Sequence, residues 1–290
     1  MLFLGTGAAE MIPDPFCDCP LCRDARENPN HIRMRSMLLL DDKNLIDFGP
    51  DLGAACAKYA LRLAGLERVF VTHTHQDHFC MANAGLVHMS RTRTKPLDVY
   101  LSEGAYRSLE AVFAPGGQVN AGIGKAAEHL KKDLCFHIVP IGQPITAGKY
   151  TVTAVETTHR VSAQECAVNY LFETPEGQKL LYACDTGYYT PEALQILREK
   201  KVDILIMDAT YGSNREANTA SHLNAWAFAE MLQILRKNGT IGPETLVFAN
   251  HINHKHTFTH EAYQQWFDEN APQKVTVAYD GLQVGFSVQP

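Results

Sequence analysis

The stretch Val71-Thr72-His73-Thr74-His75-Gln76-Asp77-His78 limits what this chain can be more than any other part of it. It follows the short apolar run Val69-Phe70-Val71, whose β-rich character reads as a buried strand. Side chains on a strand repeat every second residue, so His73 and His75 are expected on one side of it. Asp77 and His78 are adjacent and would diverge on a strand, so a turn there is needed for both to face a second ion. Imidazole nitrogen and carboxylate oxygen are ligands that a borderline divalent ion such as zinc accepts. Four such groups crowded into an ordinary core would be costly unless paired. A solvated polar turn is the plain alternative, and the restrictive spacing favours a metal.

Composition narrows the setting. The chain has 290 residues, 46% hydrophobic and 20% charged, which suits an ordinary globular protein and one domain over 1–290. A formal net charge of −6 is not the basic footprint of a nucleic-acid binder, so nucleic acid is not the expected partner. No window approaches the apolar length of a membrane span. The opening Met-Leu-Phe-Leu-Gly-Thr-Gly lacks a basic leader region, so no membrane partner and a cytoplasmic location are expected.

The eight cysteines are unevenly placed. Cys56, Cys80, Cys135, Cys166 and Cys184 are scattered in apolar segments, as small buried hydrophobes usually are. Cys17, Cys19 and Cys22 sit together, and in a reducing compartment such a cluster points to metal rather than to bridges. Three thiolates can wrap one tetrahedral zinc that then lacks a fourth ligand. That ligand must arrive from far along the chain, and His254, His256 and His260 compete for the place.

The remaining segments alternate between strand and helix signals. Met37–Leu40 and Asn44–Asp47 flank a polar turn and read as a hairpin. Residues 51–64 read as a helix that Gly65 ends in the left-handed conformation. A second helix starts at Ser102-Glu103 and runs to about Phe113. The glycine-rich segment 114–124 reads either as a lid or as a long surface loop. Thr151–Val155 is a strand that finishes near His159. Ala167–Phe172 pairs with Lys179–Cys184 across Pro175-Glu176-Gly177, and the second of these strands ends at Asp185. Thr190-Pro191 marks a helix start. Val202–Asp208 is a strongly apolar strand, and Ser221–Lys237 reads as a helix with an apolar stripe. His222 is then in its first turn, where free N–H groups favour an anion; a surface histidine is the alternative. Leu246–Asn250 runs into His251 and His254, and Val275–Gly281 is a final strand.

His-x-His-x-Asp-His resembles the signature of the metallo-β-lactamase superfamily, and His73, His75, Asp77 and His78 match it without a gap. The resemblance implies an α/β fold, a four-layer αββα sandwich of two mixed sheets with helices outside. It also implies that His73, His75 and His159 hold one divalent ion, that Asp77, His78 and His251 hold another, and that Asp185 bridges them. Zinc or manganese would fill the pair, with a hydroxide between them as nucleophile. Asp47-Phe48-Gly49 matches a triplet whose aspartate would support the histidine loop, a plain turn aspartate being the alternative.

The Cys-x-Cys-x-x-Cys loop at 17–22 is similar to that of PhnP-type phosphodiesterases of the carbon–phosphorus lyase pathway and, less closely, of PqqB-type proteins. In the former group His254 falls where a histidine closes a structural zinc, and His222 falls near the substrate phosphate. The implied activity is a dinuclear metal-dependent phosphodiesterase on a small or cyclic phosphodiester. Asp77 and His222 would be the catalytic residues, and the resemblance leaves room for a homodimer. A PqqB-like protein, a tRNA 3′-processing-type endonuclease and a non-catalytic zinc-stabilised binding module are the alternatives.

Overall fold

Short apolar runs broken by polar turns assemble into two sheets. The computed structural model describes residues 1–113 and 132–286. The first sheet has six strands in chain order: β1 (Leu2–Gly5), β2 (Met37–Asp41), β3 (Asn44–Ile46), β4 (Arg68–Phe70), β5 (Leu97–Leu101) and β6 (Leu134–Ile138). Pairing is antiparallel from β1 to β3 and parallel from β3 to β6. The second has seven: β7 (Ile145–Ala147), β8 (Tyr150–Arg160), β9 (Cys166–Glu173), β10 (Lys179–Ala183), β11 (Val202–Asp208), β12 (Ile241–Asn250) and β13 (Val275–Val277). Its pairs are antiparallel from β7 to β10 and parallel from β10 to β13.

The described α-helices are α1 (Pro20–Glu27), α2 (Leu52–Lys58), α3 (Met81–His88), α4 (Glu103–Phe113), α5 (Pro191–Leu197), α6 (Ala225–Lys237) and α7 (His260–Asn270). The sheets bury a common core of aromatic and aliphatic side chains. At its centre the Phe70 ring stacks on Tyr100 at 4.9 Å and meets Phe172 edge-on at 4.9 Å. Leu45, Val69 and Val99 pack outward against Leu52, Ala84 and Leu109 of α2, α3 and α4. Leu181, Leu205 and Val247 pack against Leu197, Phe228 and Phe267 of α5, α6 and α7. Helices therefore flank a pair of mixed sheets, the αββα sandwich that the resemblance implies. Burial on both faces explains why β10 and β11 read as continuous apolar runs rather than alternating ones.

Several boundaries differ from the sequence reading. β4 stops at Phe70, so His73 and His75 belong to the loop beyond it and not to the strand itself. α2 ends at Lys58, well short of residue 64. Ala60 takes the left-handed conformation in place of Gly65, at φ 52°, and Leu61 N–H donates back to the Cys56 carbonyl at 2.9 Å. The predicted helix over 221–237 begins only at Ala225, because Asn224 accepts from Ala227 N–H and caps it. The last strand is confined to Val275–Val277. The glycine-rich segment 114–124 lies outside the described residues.

The parallel strands of each sheet release their loops toward one edge of the sandwich. Asp47 follows β3 and the histidine loop follows β4. Asp185 follows β10, Asp208 ends β11, and His251 follows β12. Val168 N–H donates to the Thr72 carbonyl at 2.9 Å, and Ala8 N–H to the Ile252 carbonyl at 3.0 Å, so loops of the two sheets are tied together there.

Candidate metal centres and active site

The histidine loop owes its shape to buried polar anchors. Asp47 is fully buried, accepts from Thr72 N–H and Thr72 Oγ1 at 2.9 Å each, and holds His78 Nδ1 at 2.7 Å. Glu165, 1% exposed, accepts from Thr74 N–H at 2.8 Å and from its hydroxyl at 2.6 Å. The Asp77 carbonyl passes so close to Gly49 that a Cβ there would stand 2.3 Å from it. A residue larger than glycine would push the loop away from β3.

These anchors turn the imidazoles inward. His73 Nε2 is 2.9 Å from His75 Nδ1, and His159 Nε2 is 3.1 Å from the same atom. His78 Nε2 is 3.3 Å from His251 Nε2 and 3.1 Å from Asp77 Oδ2. Asp185 stands between the groups. Its Oδ2 lies 3.9 Å and 3.8 Å from His73 Nε2 and His159 Nε2, and its Oδ1 lies 3.2 Å and 3.1 Å from His78 Nε2 and His251 Nε2. The second nitrogens are held from behind, His251 Nδ1 by Thr210 Oγ1 at 2.8 Å and His73 Nδ1 by Thr72 Oγ1 at 3.1 Å. Such outer contacts set the tautomer and aim the free nitrogen.

The donors fit a pair of divalent ions. Nitrogens about 2.0–2.1 Å from one tetrahedral ion stand roughly 3.3 Å apart, close to the spacings in both groups. Asp185 Oδ1 is buried without a hydrogen-bond partner although two imidazoles face it, an arrangement costly in a core unless a cation lies among them. Burial pushes the Asp185 carboxyl up, but His251 and His78 outweigh it and hold it well below the usual carboxylate range. Burial and the neighbouring histidines set against the pull of Asp185 push the His159 imidazole down to about 4, so it is neutral and free to donate a lone pair. The groups His73/His75/His159, His73/His78/Asp185 and Asp77/His78/His251 each have all their ligand atoms within 4.8 Å of one another.

Asp47, Asp185 and His251 share a further property. Their φ values are 65°, 53° and 61°, in the left-handed region that side chains other than glycine seldom enter. Strain of this kind, of order 1–3 kcal/mol per residue, persists only where the surroundings over-determine it.

His222 is not a helical residue. It lies in the loop before α6, and Asp208 accounts for its position. Asp208 is fully buried; one oxygen accepts from Thr210 N–H and Leu223 N–H at 3.0 Å each, and the other holds His222 Nδ1 at 2.7 Å. The helix-terminus rationale for an anion at His222 therefore fails, because Asp208 draws the 222–223 backbone out of helical register. The ring instead stacks parallel to His251, centroids 5.5 Å apart and planes 10° apart, and lies 4.6 Å from the His159 ring. Burial would lower its pKa, but the Asp208 charge and hydrogen bond override this and raise it to about 9. With Nδ1 occupied, Nε2 is left for the cleft. In the sequence Asp208 is only the end of an apolar strand, and a carboxylate closing so apolar a run is the one signal it offers. Glu165, inside a polar loop, offers none.

The cleft, of about 420 Å³, is lined by His75, Asp77, His159, Asp185, His222 and His251, together with Glu10, Gln76, Tyr211, Asn253 and Lys255 among others. Its size suits a small ligand. Lys255 forms an ion pair with Glu10.

A second centre lies beside it. Cys17, Cys19, Cys22 and His254 have their ligand atoms within 4.8 Å of one another. His254 Nδ1 is 3.5 Å from both Cys19 Sγ and Cys22 Sγ, which matches the roughly 3.5 Å expected of sulfur and nitrogen on one tetrahedral zinc. Burial raises the Cys22 thiol to about 12. Cys19, despite burial, is held down to about 7 by the Cys22 N–H and His254. A second thiolate is thus costly unless a cation sits among them. His256 and His260 are turned elsewhere: His256 accepts from Phe258 N–H at 3.0 Å, and His260 Nδ1 faces the Arg33 guanidinium at 3.0 Å. His251 and His254 leave the same end of β12, so one short segment serves both centres.

A family model described as a β-lactamase superfamily domain matches residues 43–251. Among solved structures, the chain is similar to a diphosphatase from the PhnP family, at 21% identity over 99% of this chain and 97% of that one, with a TM-score of 0.73. Zn(2+)-bound PqqB from Methylobacterium extorquens aligns at 17% identity over 97% and 98%, with a TM-score of 0.65. The short form of human tRNase Z aligns at 16% identity over 99% of each chain, with a TM-score of 0.61. At these identities the likeness is one of fold. No curated protein matches the sequence.

Proposed function

The chain belongs to the β-lactamase superfamily, and from that premise we propose that it is a dinuclear metal-dependent phosphodiesterase acting on a small or cyclic phosphodiester. The fold and the ligand clusters support a metal-dependent hydrolase. The finer reading is carried by one observation: Asp185 presents an oxygen to each ligand group, and His222 faces the same cleft with its back held by a buried carboxylate.

His73, His75 and His159 would hold one ion; Asp77, His78 and His251 would hold the other; Asp185 would touch both. Bound there, a pair of divalent ions, zinc or manganese, lowers the pKa of water toward neutrality and offsets charge on phosphoryl oxygens. Asp77 lines the cleft as a carboxylate able to accept a hydrogen bond from the attacking water. His222, protonated at neutral pH in its Asp208-bound state, can donate from Nε2 to a phosphoryl oxygen or to the departing alkoxide. Gln76, Tyr211, Asn253 and Lys255 supply polar groups around a small substrate. Cys17, Cys19, Cys22 and His254 would hold a structural zinc that pins the loop after β12. All eight cysteines are unpaired, which suits a cytoplasmic setting. Among the described residues, no helix is long and apolar enough to cross a membrane.

The test is a panel on metal-loaded protein: bis(p-nitrophenyl) phosphate, a 2′,3′-cyclic nucleotide, a precursor tRNA and a chromogenic β-lactam. The expected result is turnover of the two small phosphodiesters with bound metal in excess of the structural site. Cleavage of the tRNA or the lactam alone would overturn the proposal, as would full metal occupancy with no turnover of any substrate.

A further inference from the structure

We propose that Asp98, Cys135 and His137 form a separate metal site, taking a borderline divalent ion such as Zn2+, at the end of the first sheet away from the cleft. The argument begins with strand register. β5 and β6 are parallel, with Asp98 opposite Cys135 and Tyr100 opposite His137. Residues two apart on a strand share a face, so Cys135 and His137 project on the same side as Asp98 and Tyr100. The three ligand atoms lie within 4.8 Å of one another, and His137 Nε2 is 2.9 Å from Asp98 Oδ1. The Tyr100 ring stacks on His137 at 4.7 Å with planes 19° apart, fixing the imidazole in that direction.

The donor set defines the ion. One thiolate, one imidazole and one carboxylate match the ligand preferences of zinc, whereas magnesium and calcium take oxygen ligands. Binding requires the Cys135 thiol to give its proton to solvent and the neutral His137 ring to carry its proton on Nδ1. Asp98 and His137 side chains are 37% and 38% exposed, and Cys135 is exposed, so an ion reaches the group from solvent and water can complete its coordination. The position is remote from the cleft. Asp98 pairs with Arg68 at the start of β4, and the strands run from there toward His73. Among the described residues β6 is an edge strand, so an ion here would fasten it to β5.

The experiment uses the full chain with its other centres already filled. Wild type, Cys135→Ser and His137→Ala are dialysed against Zn2+ alone, and bound zinc is counted per chain. In parallel, iodoacetamide modification of Cys135 is followed by peptide mass spectrometry with and without Zn2+. The expected result is one further zinc in wild type than in either variant. Cys135 alkylation in wild type should also slow by about tenfold once free zinc exceeds Kd about tenfold. Equal zinc in all three proteins would overturn the proposal. So would zinc protection of Cys135 that survives in both Asp98→Asn and His137→Ala, since the thiol would then be binding alone. Cys135 is exposed and Asp98 and His137 are partly exposed, so the substitutions disturb no buried packing, and circular dichroism checks that each variant is folded.

Discussion

Replacing His222 with alanine separates the two tasks the cleft allows it. Asp208 holds Nδ1 at 2.7 Å and raises the imidazole to about 9, so at neutral pH the ring carries a proton for donation. General-acid assistance typically contributes 10²–10⁴-fold, or about 3–5 kcal/mol of barrier. That assistance matters when the leaving group is a poorly acidic alkoxide, as in a 2′,3′-cyclic nucleotide. It matters little when the leaving group is p-nitrophenolate, which departs without a proton. His222→Ala should therefore cost about 10²–10⁴-fold in kcat on the cyclic nucleotide and under about tenfold on bis(p-nitrophenyl) phosphate. Metal content should be unchanged, because the proposed ion pair is held by seven other side chains and His222 Nδ1 is taken up by Asp208. Steady-state kinetics on both substrates, with metal analysis of each preparation, measures this. Equal losses on the two substrates would refute leaving-group protonation and leave His222 as a contact to the phosphoryl oxygens. Full activity on both would remove it from the chemistry altogether.

Three further outcomes follow from the geometry. Cys19→Ser should reduce total zinc and thermal stability before it changes kcat, since a structural zinc contributes directly to folding; calorimetry beside metal analysis checks it, and a fully zinc-loaded, equally stable variant would contradict the structural assignment. Asp47→Ala should weaken metal affinity at the Asp77/His78/His251 group by 10–100-fold, the usual effect of removing a carboxylate behind a ligating histidine, and competition with a chelator reads this out. Burial raises the Asp280 carboxyl to about 6, more than its bonds from Met34 N–H and Thr6 and the nearby Arg33 charge can offset. The unfolded chain then gives up this proton first, so stability is lost as pH rises from about 4 to about 6, by about 3 kcal/mol in all. Urea titrations should show that slope in wild type and its absence in Asp280→Asn.

What could be read from the sequence and what could not divide along physical lines. His73, His75, Asp77 and His78 are dense enough in ligand atoms to be noticed without any fold. The hairpins at 37–46 and 166–183 announce themselves by local turn chemistry. His159, Asp185 and His251 carry no such local mark, and it took the order of motifs in a known superfamily to group them. The start of α6 departs from the sequence expectation for a related reason. Ser221 is a good cap by composition, but Asp208, far away in sequence, captures His222 and Leu223 and leaves Asn224 to begin the helix. Glu165 braces the histidine loop through Thr74, again across a gap that periodicity cannot see. Local rules found the strands and the donors; the carboxylates that steady those donors became visible only in three dimensions.

The left-handed backbone at Asp47, Asp185 and His251 restricts how this cleft can be re-engineered. Aspartate and histidine are among the few chiral residues that tolerate that conformation, because a short polar side chain can bond locally. Glutamate at 185 would preserve charge and denticity yet carry a longer side chain on a backbone that disfavours it. A β-branched residue would be worse still. At Asp185 and His251 the residue type is thus constrained twice, once by the donor atom it must offer and once by the torsion angle. A designer seeking a different metal preference has more freedom at His73, His75 and His159, which are absent from the positive-φ set.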